Sequence, residues 1–217
     1  VSAWDVPGYA KQNDFYRDQA AMFRRQDQKV VVIISDALRF EVAEEALRRI
    51  RGLNRFDADL KPMISTLPSY TQLGMAALLP HQTLEMAPTG DGTVLADGEP
   101  TAGLPAREKR LTAGRAGDRG RTISADDFMA MRTDEGKELF RDHDIVYVYH
   151  NRIDAIGDKR ATEDQTFDAV EDALEDLVKL VRKLTSANFS NVLITADHGF
   201  LYQHQPLDDA TFALADP

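Results

Sequence analysis

The stretch Val192-Leu193-Ile194-Thr195-Ala196-Asp197-His198-Gly199 sets a carboxylate and an imidazole side by side, directly after a short apolar run. Aspartate with histidine is a donor pair suited to zinc or manganese. A buried strand in an α/β sheet delivers its last side chains to the crevice at the carboxyl edge, where ligands bind. Gly199 lets the backbone turn sharply beside them. Taken alone, the tripeptide reads equally as a turn closing a strand. Two other segments repeat the pattern. Asp36 follows Lys29-Val30-Val31-Val32-Ile33-Ile34-Ser35, and His150-Asn151-Arg152-Ile153-Asp154-Ala155-Ile156-Gly157-Asp158 follows the run from Asp144 to Tyr149. Asp154 and Asp158 stand four apart, which brings two carboxylates to one face of a helical turn. Two such like charges are unfavourable unless a cation lies between them. Ser69 and Thr71 follow Pro68 and precede a small-residue apolar run, a helix start. A hydroxyl there sits in positive potential, a suitable place for a nucleophile attacking phosphorus. Each feature has a plainer alternative: Asp36 as an N-cap, Ser69 or Thr71 as caps, His150 as a buried structural histidine. Together, the acidic strand ends and the hydroxyl-bearing helix start match a two-metal phosphoryl-transfer site.

A parallel sheet is what would place these ends along one edge. Val30 to Ile34 are five consecutive β-branched residues, the mark of a central strand buried on both faces. A helix is expected from Leu38 to Ile50, with Leu38, Val42, Ala46 and Ile50 four apart, and a second strand from Asp59 to Ile64. Residues 88–122 read as a flexible insertion over the carboxyl edge. It contains a short strand, an Asp97-Gly98 hairpin turn and a basic arm (Arg107, Lys109, Arg110, Arg115, Arg119, Arg121) that reads as a solvated loop, with a phosphate-gripping role as the alternative. Ser124 to Arg132 and Glu135 to Phe140 read as short helices. Glu163 to Leu184 reads as an amphipathic crossover helix leading into the strand at Val192. Tyr9 to Gln26 reads as a helix leading in. The expected organisation is a lead-in over residues 1–28 and a catalytic domain over 29–217, of α/β class, with a mostly parallel central sheet flanked by helices.

The 217 residues are 43% hydrophobic and 29% charged, with no cysteine, which excludes a disulfide scaffold. No apolar run reaches the length of about 18 residues that a membrane span needs, and the cytoplasm is the expected compartment. A net charge of −10 argues against broad electrostatic attraction to nucleic acid by this segment alone. The first residue is Val and the end has no obvious terminator, so an excised, C-terminally truncated part of a longer protein is expected, with a further ligand in the part beyond.

Asp36 after Val-Val-Ile-Ile-Ser, the Pro-Ser-Tyr-Thr-Gln segment running to Leu-Leu-Pro, Tyr-His-Asn-Arg-Ile-Asp-Ala-Ile-Gly-Asp and Thr-Ala-Asp-His-Gly-Phe-Leu-Tyr resemble the PglZ family of the alkaline phosphatase superfamily. The resemblance covers roughly Lys29 to Tyr202. It implies two divalent metal ions, zinc being the expected metal and manganese the alternative. Asp36, Asp197 and His198 would hold one of them, together with Thr71, which as the nucleophile would also bind it. Asp154 and Asp158 would hold the other, Asp158 standing where the superfamily usually has His. It favours Thr71 over Ser69 because Thr71 precedes Gln72 and the apolar helix. His150 and Arg152 are the expected substrate-side groups. The implied function is a metal-dependent phosphodiesterase acting on nucleic acid or nucleotides in BREX-type phage defence, with other defence proteins as partners and DNA contact through other domains. The alternatives are a degenerate phosphatase-fold scaffold and a phosphomonoesterase or mutase-like enzyme.

Overall fold

The structure, a computed structural model, describes residues 6–53, 55–157 and 166–200. Strand β1 (Ala10–Lys11) leads into a 3-10 turn (Gln12–Asp14), a π-helical turn (Tyr16–Ala20) and helix α1 (Ala21–Arg25). There follow β2 (Val30–Ser35), α2 (Phe40–Arg51), β3 (Met63–Ile64) and α3 (Thr71–Ala77). Then come β4 (Leu84–Met86), β5 (Val94–Ala96), β6 (Glu99–Pro100), α4 (Gly103–Ala113) and β7 (Gly120–Ser124). The chain continues through α5 (Ala125–Ala130), α6 (Thr133–Asp142), β8 (Ile145–His150), α7 (Ile153–Gly157), α8 (Thr166–Ser186) and β9 (Val192–Thr195).

Strands β7, β8, β2 and β9 form a four-stranded sheet in that order, every pairing parallel. The fold is therefore α/β with a parallel sheet between helical layers. The two faces separate by residue parity along β2. Val31 and Ile33 pack with α2, α5, α6 and α8 through Ala46, Phe128, Leu139 and Leu177. Val30, Val32 and Ile34 pack with the lead-in and with α3 and α4 through Phe15, Tyr16, Met75 and Leu111. Both faces are covered, which is why the strand carries apolar residues without alternation. Helix α8 presents Ala173, Leu174, Leu177, Leu180, Val181 and Leu184 to the core at helical spacing. Ser124 caps α5, accepting a hydrogen bond from the Asp127 amide at 3.0 Å.

Three expectations need correction. The lead-in is not one amphipathic helix. Its first residues are extended because β1 pairs with β3, and Arg24 is drawn into a buried ion pair with Asp118 at 3.0 Å. The strand expected over Asp59 to Ile64 shrinks to β3 and lies outside the main sheet; Pro62 has no amide to give to a ladder. Within 88–122 the chain is not an irregular arm: it holds α4 and the sheet's edge strand β7, and Leu111 of α4 is fully buried. The Asp97-Gly98 turn does join β5 to β6, both residues at positive φ (50° and 79°), as a tight hairpin requires.

Candidate metal centre

The strand order sets the ends of β8, β2 and β9 side by side, so the residues after them share one crevice. The Asp36 amide donates to the His150 carbonyl at 2.8 Å, extending the β2–β8 ladder by one residue. The chain then turns through Ala37, a non-glycine residue at φ 61°, in the left-handed region. That turn aims the Ala37 amide at Asp197 Oδ1, 3.2 Å away. Helix α2 is capped at Arg39 rather than Asp36, which leaves the Asp36 carboxylate to the crevice. Asp36 and Asp197 are 4% and 1% exposed.

Helix α3 begins at Thr71, and its N-cap, Tyr70, makes no side-chain cap. Thr71 Oγ1 lies 3.0 Å from His198 Nε2. Gly74, one turn further on, permits this approach: a Cβ there would stand 2.2 Å from the Asp197 carbonyl oxygen. His198 Nδ1 lies 2.8 Å from the Gly199 carbonyl, which can only accept. Nδ1 therefore donates there, and Nε2 is the ring nitrogen turned to the crevice. It lies 3.4 Å from Asp36 Oδ1 and 3.4 Å from Asp197 Oδ2.

One ligand atom from each of Asp36, Asp197 and His198 falls within 4.8 Å of the others. Asp36 Oδ1 and Asp197 Oδ2 are buried without a hydrogen-bond partner. Buried acceptors normally find donors, and these two carboxylate oxygens converge on the same imidazole nitrogen. A divalent cation satisfies all three at once, and aspartate with histidine is a donor set for zinc or manganese. The residues present fit such an ion. The same crowding marks Asp36 electrostatically. Burial first, then the nearby charges of Asp197 and Asp154, hold its carboxyl well above the ordinary carboxylate range, with Arg107 pulling in the opposite direction.

Asp154 lies in the first turn of α7, half-buried, close enough for its charge to act on Asp36. Asp158 lies outside the described residues. His150, the last residue of β8, is buried beside β2, its Nδ1 2.9 Å from Ser35 Oγ, and desolvation lowers its pKa. Arg152 is exposed and turned to α8, where its Nη2 meets Asp176 Oδ2 at 2.9 Å. Asp36, Thr71, Asp197 and His198 thus come together at the crevice, Asp154 lies near it, and His150 and Arg152 line the neighbouring strand end.

Two residues at the site carried no motif. Arg107 is buried, with its guanidinium 4.8 Å over the Tyr149 ring and Nε 3.1 Å from the Thr101 carbonyl. Its signal was positional: it shares the apolar face of α4 with Leu104 and Leu111 at helical spacing, where a cation is out of place. Gln12 is 2% exposed and donates from Nε2 to the carbonyls of Ala196 and Asp197. No pattern in the sequence marks it.

The chain also matches known proteins. A family model described as the BREX system PglZ alkaline phosphatase-like domain matches residues 15–216. The alkaline phosphatase-like protein BrxZ of Escherichia coli O9:H4 (strain HS) is 43% identical over 210 residues, covering 95% of this chain and 24% of that protein. The alkaline phosphatase-like protein PglZ of Bacillus cereus (strain H3081.97) is 37% identical over 205 residues, covering 94% of this chain and 24% of that protein. The chain spans about a quarter of the length of these relatives.

Proposed function

The chain belongs to the PglZ family of BREX alkaline phosphatase-like domains, and we propose that its carboxyl-edge crevice is a metal-dependent phosphodiesterase site. The observation that carries this is the convergence of Asp36, Asp197 and His198 on one point, with the Thr71 hydroxyl 3.0 Å from the same imidazole nitrogen. Asp36, Asp197 and His198 hold one divalent ion, zinc or manganese, with Thr71 beside it; Asp154 and Asp158 hold a second. Such ions, when bound, lower the pKa of an adjacent hydroxyl and neutralise charge on the transferring phosphoryl group. Thr71 Oγ attacks phosphorus in line. The phosphorus–oxygen bond to the leaving group breaks, that oxygen takes up a proton to balance the one Thr71 gives up, a threonine phosphoester forms, and water then cleaves it to a phosphomonoester and the free Thr71 hydroxyl. Gly74 and the α3 packing hold the hydroxyl in place before substrate arrives, so positioning costs nothing at the moment of reaction.

Arg107 brings a buried positive charge to this crevice and suits a phosphate oxygen. His150 and Arg152 stand on the substrate side, where an anionic substrate competes with Asp176 for Arg152. The substrate is a phosphodiester of nucleic acid or a nucleotide, met in the cytoplasm during phage defence alongside other defence proteins. With a net charge of −10, the grip on a long polyanion comes from the remainder of the protein.

The test is hydrolysis of bis-p-nitrophenyl phosphate against p-nitrophenyl phosphate by zinc- or manganese-loaded protein, with Thr71→Ala beside the wild type. The proposal expects diester cleavage that Thr71→Ala abolishes while the fold is retained. Faster monoester cleavage would favour the mutase-like reading. Full activity in Thr71→Ala removes the nucleophile. Asp158, in the place the superfamily gives to His, favours a degenerate scaffold as the second reading, and no cleavage of either ester would support it.

A further inference from the structure

Gln12 lies three residues before the segment that matches the family model. Its side chain is nonetheless fully engaged at the crevice. Nε2 donates to the Ala196 carbonyl at 3.1 Å and to the Asp197 carbonyl at 2.5 Å. Oε1 accepts from the Thr66 amide at 3.0 Å. One primary amide therefore ties the turn that carries Asp197 and His198 to the strand end that leads into Thr71. The register explains how it gets there: Lys11 pairs with Ile64 in the β1–β3 ladder, which sets Gln12 beside Ser65 and Thr66. Gly74 of α3 backs against the same Asp197 carbonyl. The backbone of Asp197 is thus bonded by Gln12 and packed against α3, and its side chain accepts from the Ala37 amide.

We infer that Gln12 is a positioning residue for the metal centre: its amide fixes the Ala196–Asp197 backbone so that Asp197 Oδ2 and His198 Nε2 converge on Asp36. The inference rests on the reading of Asp36, Asp197 and His198 as metal ligands. Groups that orient ligands without touching the ion typically carry about 10–100-fold in metal affinity. Glutamine suits this post because it donates twice and accepts at once. Glutamate has the same shape but cannot donate, and it would press a carboxylate against two carbonyl oxygens.

The experiment is calorimetric titration of the metal-free protein with zinc, for wild type, Gln12→Met, Gln12→Glu and Asn13→Ala. Gln12→Met keeps the volume and removes all three bonds. Gln12→Glu keeps the acceptor for Thr66 and removes only the donors, so it decides the matter if the Met variant does not fold. Among the described residues the Asn13 side chain accepts from the Thr66 hydroxyl alone, and it serves as the control on the same segment. We expect zinc affinity to fall about 10–100-fold in both Gln12 variants and to stay unchanged in Asn13→Ala. A folded Gln12→Glu that binds zinc as tightly as wild type overturns the inference while leaving the metal reading intact. A wild type that takes up no zinc overturns the metal reading, and this inference falls with it.

Discussion

Asp36 and Asp197 are two carboxylates buried against one imidazole, and the energetic consequence can be measured without substrate. Burial beside Asp197 and within reach of Asp154 raises the Asp36 pKa in the folded protein. The folded state therefore holds this proton more tightly than the unfolded chain, where a carboxyl titrates near ~3.9. The sign follows: the contribution is fully present below the unfolded value and is lost as pH rises through the raised folded value. Metal-free wild type should lose thermal stability relative to Asp36→Asn as pH climbs from about 4 toward neutrality, read as the difference in Tm between the two proteins. A difference that stays flat, or grows in favour of wild type, contradicts the crowded-carboxylate account. At this level the sequence was informative. The neighbouring Asp197 and His198, and Asp36 at the end of five β-branched residues, were visible as types in order. Gln12 was hidden because its role depends on which distant backbone it meets, while Arg107 was legible only as one cation of a basic arm and not as a buried one.

The elements explain that division. Strands β2, β8 and β9 announce themselves as apolar runs, since a strand buried on both faces needs no alternation. Strand β7 did not, because Gly120, Arg121 and Thr122 spell no such run; it is a strand by virtue of its partner β8. The lead-in looked like a helix by periodicity, yet pairing of β1 with β3 and the demand of Gln12 for the Asp197 carbonyl outweigh local propensity. Helix α3 shows the opposite case, where one residue type was chosen by packing. Gly74→Ala would drive a methyl group into the Asp197 carbonyl, a backbone atom that cannot step aside. Overpacking of this kind costs about 1–3 kcal/mol, with about 2–4 °C in Tm per kcal/mol for a chain of this size. Thermal melts of Gly74→Ala should show that loss, together with weaker zinc binding as α3 and the Asp197 turn move apart. An unchanged Tm would mean that α3 does not press on this turn.

As a whole the molecule is a parallel sheet with helical layers on both faces, whose carboxyl edge brings together Asp36, Asp197 and His198 from the ends of two strands and Thr71 from one helix. Among the described residues no helix is long and apolar enough to cross a membrane. The chain covers 24% of each relative's length, so the rest of the protein is where long-range recognition of a polyanion is proposed to reside. For this segment the central proposal is that Asp36, Asp197 and His198 form a true cation site. Metal content after loading with zinc or manganese and removal of free ion, measured by elemental analysis in wild type and in Asp197→Ala, decides it. The account predicts at least one ion per chain in wild type, two if Asp154 and Asp158 complete the second site, and the loss of at least one in Asp197→Ala. No ion in wild type, or an equal content in the two proteins, would contradict it.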